Sequence, residues 1–192
     1  MKSINNKKVS LQIITGLLLL LLAGCAARQP VKDALEEKQA AETYLKQGLA
    51  NSEKGEYNKA VSEYNKAIEI DPRFVVAYLN RGYAYRKLGD YDSAISDYNK
   101  ALEIFPRYAK AYNNRGYVYR MKGESDKAIA DYSKAIELDP TYAAAYYSRG
   151  ITYSNKSEYN KALEDVRKAK KLGYPVPPAL FKTLREAAEK PK

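Results

Sequence analysis

The chain of 192 residues holds one thiol, Cys25, and neither histidine nor tryptophan. Without histidine it lacks the commonest general base and metal ligand. Without a second cysteine it has no disulfide and no cysteine-built metal site. Two features remain that can do chemistry. Cys25 follows Leu22-Ala23-Gly24, and a thiolate is a nucleophile able to accept a lipid group. Arg81, Arg115 and Arg149 are each followed sixteen residues later by a carboxylate, at Asp97, Asp131 and Asp165, while Gln47 is followed by Glu63. This recurrence reads as a structural Arg–carboxylate bridge, within one helical hairpin or between neighbours. The competing reading is a row of ligand-binding arginines. No Ser/His, Cys/His or paired-carboxylate set stands outside the recurring pattern, so the chain does not read as an enzyme.

The elements that must position these residues are written in the period. Pro72, Pro106 and Pro140 are 34 apart, as are Gly48, Gly82, Gly116 and Gly150. The same register carries Ala60, Ala94, Ala128 and Ala162; Ala67, Ala101, Ala135 and Ala169; and Tyr44, Tyr78, Tyr112 and Tyr146. A sixth series, Tyr64, Tyr98 and Tyr132, ends in Val166. Fixed-period similarity of this kind marks stacked supersecondary units. Within a unit, apolar positions recur at helical spacing on both sides of Gly55-Glu56, Gly89-Asp90, Gly123-Glu124 or Ser157-Glu158. Each unit therefore predicts two helices joined by a tight turn, and the proline stops the second helix. Gly82 and Ala94 are expected at the closest crossing of a hairpin. One hairpin cannot bury its apolar face alone, so neighbours must stack.

This 34-residue pattern resembles the tetratricopeptide repeat family over residues 41–176. The resemblance implies an all-α, right-handed α-solenoid of four helical hairpins, 41–74, 75–108, 109–142 and 143–176, with residues 33–40 extending the first helix. It implies a protein-binding scaffold with no cofactor. After Pro177-Pro178, Leu180, Phe181, Leu184 and Ala188 share one helical face, which predicts a capping helix in 177–192.

The start of the chain carries Lys2, Lys7 and Lys8, an apolar run Val9–Leu22, and then Leu22-Ala23-Gly24-Cys25. The run is shorter than the ~20 residues a spanning helix needs. It resembles a bacterial lipoprotein signal over 1–24, with Cys25 lipidated and 25–32 a tether. Several acyl chains together anchor stably. Ala26, in place of an aspartate after the cysteine, implies sorting to the outer membrane, facing the periplasm, or the cytoplasmic membrane where only one exists. Removing the three N-terminal lysines lowers the formal charge from +10 to +7. That balance permits anionic partners without selecting one. Export argues against nucleic acid.

In the family the first helix of each hairpin lines a concave groove. Carried onto this chain, the groove residues are Leu79, Tyr83, Arg86, Lys110, Asn113, Tyr117, Arg120 and Tyr147, which form an amphipathic surface for a peptide segment of a partner protein. Chaperone-binding members clamp a C-terminal carboxylate with Lys, Asn and Arg. The matching positions here are Leu45, Leu49, Asn80, Lys110 and Asn114, of which only Asn80 and Lys110 fit. The run Arg167-Lys168-Ala169-Lys170-Lys171 reads as compensation of a helix dipole, with anionic lipid as the alternative.

Overall fold

A computed structural model describes residues 34–189, all of whose regular structure is helical. Cys25, the apolar run, the tether and the last three residues lie outside the described residues. Helix α1 covers 34–53. It is followed by α2 (Tyr57–Ile70), α3 (Val75–Leu88), α4 (Tyr91–Ile104), α5 (Ala109–Met121), α6 (Ser125–Leu138), α7 (Ala143–Asn155), α8 (Tyr159–Lys171) and α9 (Pro178–Glu189). The helices form an all-α solenoid. Each packs on the next in sequence from α2 to α9, and α3 also meets α5, and α5 meets α7. The second helices of neighbouring hairpins make no comparable approach, so the first helices form the concave layer.

Local chemistry sets the helix ends. The Asp90 side chain accepts a hydrogen bond from the Ser93 N–H and caps α4. Helix α3 stops at Gly89, whose φ of 81° is left-handed, a conformation that glycine adopts without a Cβ penalty. At the equivalent turn after α7 the chain places Ser157 at φ 61°, the only non-glycine residue with positive φ among those described. The bonds that close this turn survive there: Ser157 N–H donates to Ser154 O and Glu158 N–H to Tyr153 O, both at 2.9 Å.

Packing within a hairpin follows from small residues opposite large ones. A Cβ added at Gly82 would stand 2.8 Å from Tyr98 Cε1 and 3.2 Å from the Ala94 carbonyl oxygen. Gly82 therefore lets α3 lie directly on α4, with the Tyr98 ring filling the space a side chain would have taken. Tyr64, Tyr98 and Tyr132 are fully buried in the same role. Each aromatic ring removes roughly 200 Å² from water, which favours folding by about 5 kcal/mol before entropy is counted. In the fourth hairpin Val166 takes this place, and a Cβ on Gly150 would meet its Cγ2 at 2.9 Å. Helix α9 closes the stack. Leu184 is buried against Leu163, Val166 and Val176, with Leu180, Phe181 and Ala188 packed around them.

Candidate functional site

Two sets of arginines leave the first helices in different directions. The first set lies between hairpins. Arg81 Nε and Nη2 donate to the two oxygens of Asp97 at 2.9 and 2.7 Å. Arg115 holds Asp131 in the same bidentate way at 2.8 and 2.7 Å. Arg149 holds Asp165 at 2.8 Å through both nitrogens. The third guanidinium nitrogen reaches back to the preceding hairpin. Arg81 Nη1 donates to Asn65 Oδ1 at 2.6 Å, Arg115 Nη1 to Asn99 Oδ1 at 2.5 Å, and Arg149 Nη1 to Ser133 Oγ at 2.9 Å. Each arginine thus joins its own hairpin to the previous one: the carboxylate bridge lies within one hairpin, and the preceding hairpin contributes an amide or hydroxyl oxygen instead.

Aromatic rings wall these arginines in. The Arg81 guanidinium carbon lies 5.4 and 6.0 Å from the ring centres of Tyr78 and Tyr85. Arg115 lies between Tyr112 and Tyr119, and Arg149 between Tyr146 and Tyr153. Hydrogen bonds donated to Asp131 and Asp165 hold the Arg115 and Arg149 guanidiniums above their ordinary pKa. Burial pushes the Asp97 carboxyl up, against the bonds from Arg81. With all three guanidinium nitrogens bonded within the fold, these groups fix the stacking register rather than face a ligand.

The second set faces the concave side. Arg86, five residues after Arg81 on α3, has its guanidinium carbon 4.7 Å from the ring centres of both Tyr83 and Tyr117. Arg120 lies 4.9 Å from the same Tyr117 ring. The Tyr57 ring meets Tyr83 edge-on at 6.4 Å. Rings and cations therefore alternate along the inner face from α3 to α5, in the order Tyr83, Arg86, Tyr117 and Arg120. No ion pair is formed by Arg86 or Arg120 among the described residues. Under this layer the Tyr98 and Tyr132 hydroxyls are buried with no hydrogen-bond partner. Burial raises the Tyr132 phenol to about 12 against the pull of Arg120, and raises Tyr98 further. Tyr64 differs, since its hydroxyl is 3.1 Å from Ser52 Oγ.

Beside this ladder lies a cleft of about 380 Å³ between α1, α3 and α5. Leu49, Val76, Leu79 and Tyr83 supply its apolar surface, and Asn80, Lys110 and Asn114 supply polar groups. Leu79 is its floor at 4% exposure, whereas Tyr83 at 36% and Val76 at 40% stand open. Of the sequence-derived groove residues, Leu79, Tyr83 and Lys110 line the cleft; Arg86, Tyr117 and Arg120 form the adjoining ladder. Asn113 takes the place that Leu79 has in the preceding hairpin, with its Oδ1 buried and unpartnered. Tyr147 stacks on Tyr174 at 4.5 Å and packs with the capping cluster. Tyr108 also lines the cleft. Its sequence signal is the aromatic series Phe74, Tyr108 and Tyr142 in the same 34-residue register, which the groove pattern does not include.

No helix among the described residues is long and apolar enough to cross a membrane, and no group of three or more His, Cys, Asp or Glu there is placed to hold a metal. The fold and its inner surface define a helical-hairpin solenoid, a class of interaction scaffold. The tetratricopeptide repeat pattern matches residues 75–108, 109–142 and 132–164, and a TPR repeat pattern matches 48–89. The chain belongs to the tetratricopeptide repeat family, whose members are generally non-catalytic and bind protein or peptide partners.

Among solved structures, a crystal structure of MamA is 32% identical, covers 73% of this chain and 83% of that one, and superposes with a TM-score of 0.65. The first TPR domain of Spaghetti (RPAP3), solved with the HSP90 peptide SRMEEVD, is 28% identical over 62% of this chain and 95% of its own, with a TM-score of 0.61. Pseudomonas aeruginosa PilF shares the fold at 22% identity and a TM-score of 0.72, covering 80% of this chain and 71% of its own. No curated protein sequence matches the chain.

Proposed function

We propose that the chain is a membrane-anchored adaptor that captures a peptide segment of a partner protein on its concave face and has no catalytic activity of its own. The observation that carries this reading is the cleft of Leu49, Val76, Leu79 and Tyr83, continued by Arg86 held between two tyrosine rings. An apolar side chain of the partner seats in the cleft. Acidic or carbonyl groups beyond it meet Arg86 and Arg120, whose guanidiniums are oriented before binding, which lowers the entropy cost of capture. The peptide-bound RPAP3 domain supports peptide capture by this fold. Leu49 stands where a carboxylate clamp would place a polar group, so the cleft favours an apolar contact over a chain-terminal carboxylate.

Anchoring rests on the lipoprotein-like Leu22-Ala23-Gly24-Cys25. On this reading the mature protein sits at the outer membrane, facing the periplasm, or at the cytoplasmic membrane of a single-membrane bacterium, in roles such as secretion, pilus or cell-envelope assembly. Crosslinking in intact cells tests the capture surface. Tyr83→Ala combined with Tyr117→Ala should lose the partners that the wild type captures, and equal yield would refute the groove. Cys25→Ser should release the protein from membranes or leave it uncleaved. Normal size and fractionation would refute the anchor.

A further inference from the structure

The net charge of the chain is concentrated at one end of the solenoid. Among the described residues, 167–189 hold six Lys or Arg against two Glu, a net +4, whereas 34–166 are balanced at twenty of each sign. Most of this charge begins at the last turn of α8, which carries Lys168, Lys170 and Lys171. Helix-dipole compensation does not account for it. The equivalent helices α2, α4 and α6 have no basic residue in their last turns and still end in order.

Comparison by position is more telling. Lys100 and Lys134 pair with Glu103 and Glu137 three residues on. Lys168 is their equivalent, but the position of the glutamate is occupied by Lys171. Lys170 stands where the other hairpins have Ile68, Leu102 and Ile136. Arg167 stands where Asn65, Asn99 and Ser133 accept a bond from the next hairpin. Helix α8 is thus recoded from a stacking end into a cationic one. Like charges three apart on a helix repel, which makes this an unfavourable arrangement for the fold alone.

None of Arg167, Lys168, Lys170 and Lys171 has a carboxylate within ion-pair distance among the described residues. They border two adjoining hollows, of about 630 and 500 Å³. Glu164 borders the larger without pairing to any of the four. Lys170 lies 5.3 Å from the Phe181 ring, which leaves its charge outward over an aromatic base.

We infer that this end of the solenoid is a contact surface for an anionic phospholipid bilayer, laying the scaffold along the membrane. The choice of a bilayer rests on the anchor reading above. Residues 26–33 reach at most ~28 Å at ~3.5 Å each, so the first hairpin stays near the leaflet. Five stacked layers at roughly 10 Å each give a body ~50 Å long, so its basic end meets the same leaflet when the body lies flat. A patch of four unpaired cations then complements the phosphate plane.

The test uses residues 26–192 without lipid, which retain every described helix and core, so the anchor contributes nothing to the signal. Wild type should sediment with vesicles of 70% phosphatidylcholine and 30% phosphatidylglycerol, should not sediment with pure phosphatidylcholine, and should be released by added salt. Lys171→Glu restores the pairing pattern of α4 and α6. It should keep the helical circular dichroism signal and weaken vesicle binding by about twenty-five-fold, given about five-fold for each of the two charges changed. Equal binding of Lys171→Glu and wild type, or equal binding to both vesicle types, would overturn the inference. Binding to polyglutamate beads as tight as to the anionic vesicles would also overturn it and assign the patch to an acidic protein. If the Cys25→Ser experiment fails while this binding holds, the anchor reading alone is lost.

Discussion

Arg81 and Arg86 sit on one helix, five residues apart, and do different work. Arg81 spends its donors on Asp97 and Asn65 at the seam between hairpins. Arg86 has no ion pair among the described residues and is held by the faces of Tyr83 and Tyr117 on the concave surface. The same contrast recurs on α5 between Arg115 and Arg120. A guanidinium at the seam is structural because each of its three nitrogens is bonded within the fold. A guanidinium on the inner face forms no ion pair among the described residues and is oriented by cation–π contacts, although the Arg120 Nε is itself buried.

The sharpest way to break this comparison is to truncate one member of each set. Arg115→Ala leaves Asp131 buried and uncompensated, since that side chain is only 8% exposed. It should cost about 3–5 kcal/mol in urea unfolding. Arg120→Ala should cost less than about 1 kcal/mol, with its effect confined to partner binding. Equal losses of stability would erase the distinction.

The buried tyrosines give the next largest effect. With the Tyr132 phenol at about 12 when folded and near 10 when unfolded, the unfolded state releases that proton first as pH rises. Stability should be unaffected by this group below pH 10. It should fall through the window from about 10 to 12, by up to about 3 kcal/mol. Tyr132→Phe should flatten that fall in alkaline thermal melts, and at neutral pH should be neutral or stabilising, because its hydroxyl has no partner. Tyr64→Phe should instead lose about 1 kcal/mol with the Ser52 bond.

Gly82→Ala forces a Cβ against Tyr98 and the Ala94 carbonyl, and should cost about 2 kcal/mol by calorimetry. Ser157→Gly is a small change expected to stabilise. It relieves a left-handed serine and should gain about 1 kcal/mol, raising Tm by a few degrees. A fall in Tm would show that Ser157 is not strained.

The fold was legible because tetratricopeptide packing repeats its constraints. Gly82 opposite Tyr98, and Pro106 at the end of α4, each recur with the period and each have one physical explanation. The Arg81–Asp97 bond was legible for the same reason. Its third partner, Asn65, lies sixteen residues before the arginine and mirrors the spacing to Asp97, but asparagine is too common on helix surfaces to stand out. The inner face was less legible, because repetition dilutes there. Leu79, Asn113 and Tyr147 share one register position, yet one floors the cleft, one buries an unpartnered oxygen and one stacks on Tyr174. The stack on Tyr174 depends on the chain that follows α8, which has no counterpart in the other hairpins.

The central claim is that partners dock on the inner face. Its most direct test places a photo-crosslinking residue at Val76, open in the cleft, or at Glu103, whose side chain is 69% exposed on α4. Irradiation of intact cells should give a partner adduct from position 76 that disappears with Tyr83→Ala and Tyr117→Ala, and none from position 103. An adduct from position 103 with none from position 76 would contradict the account.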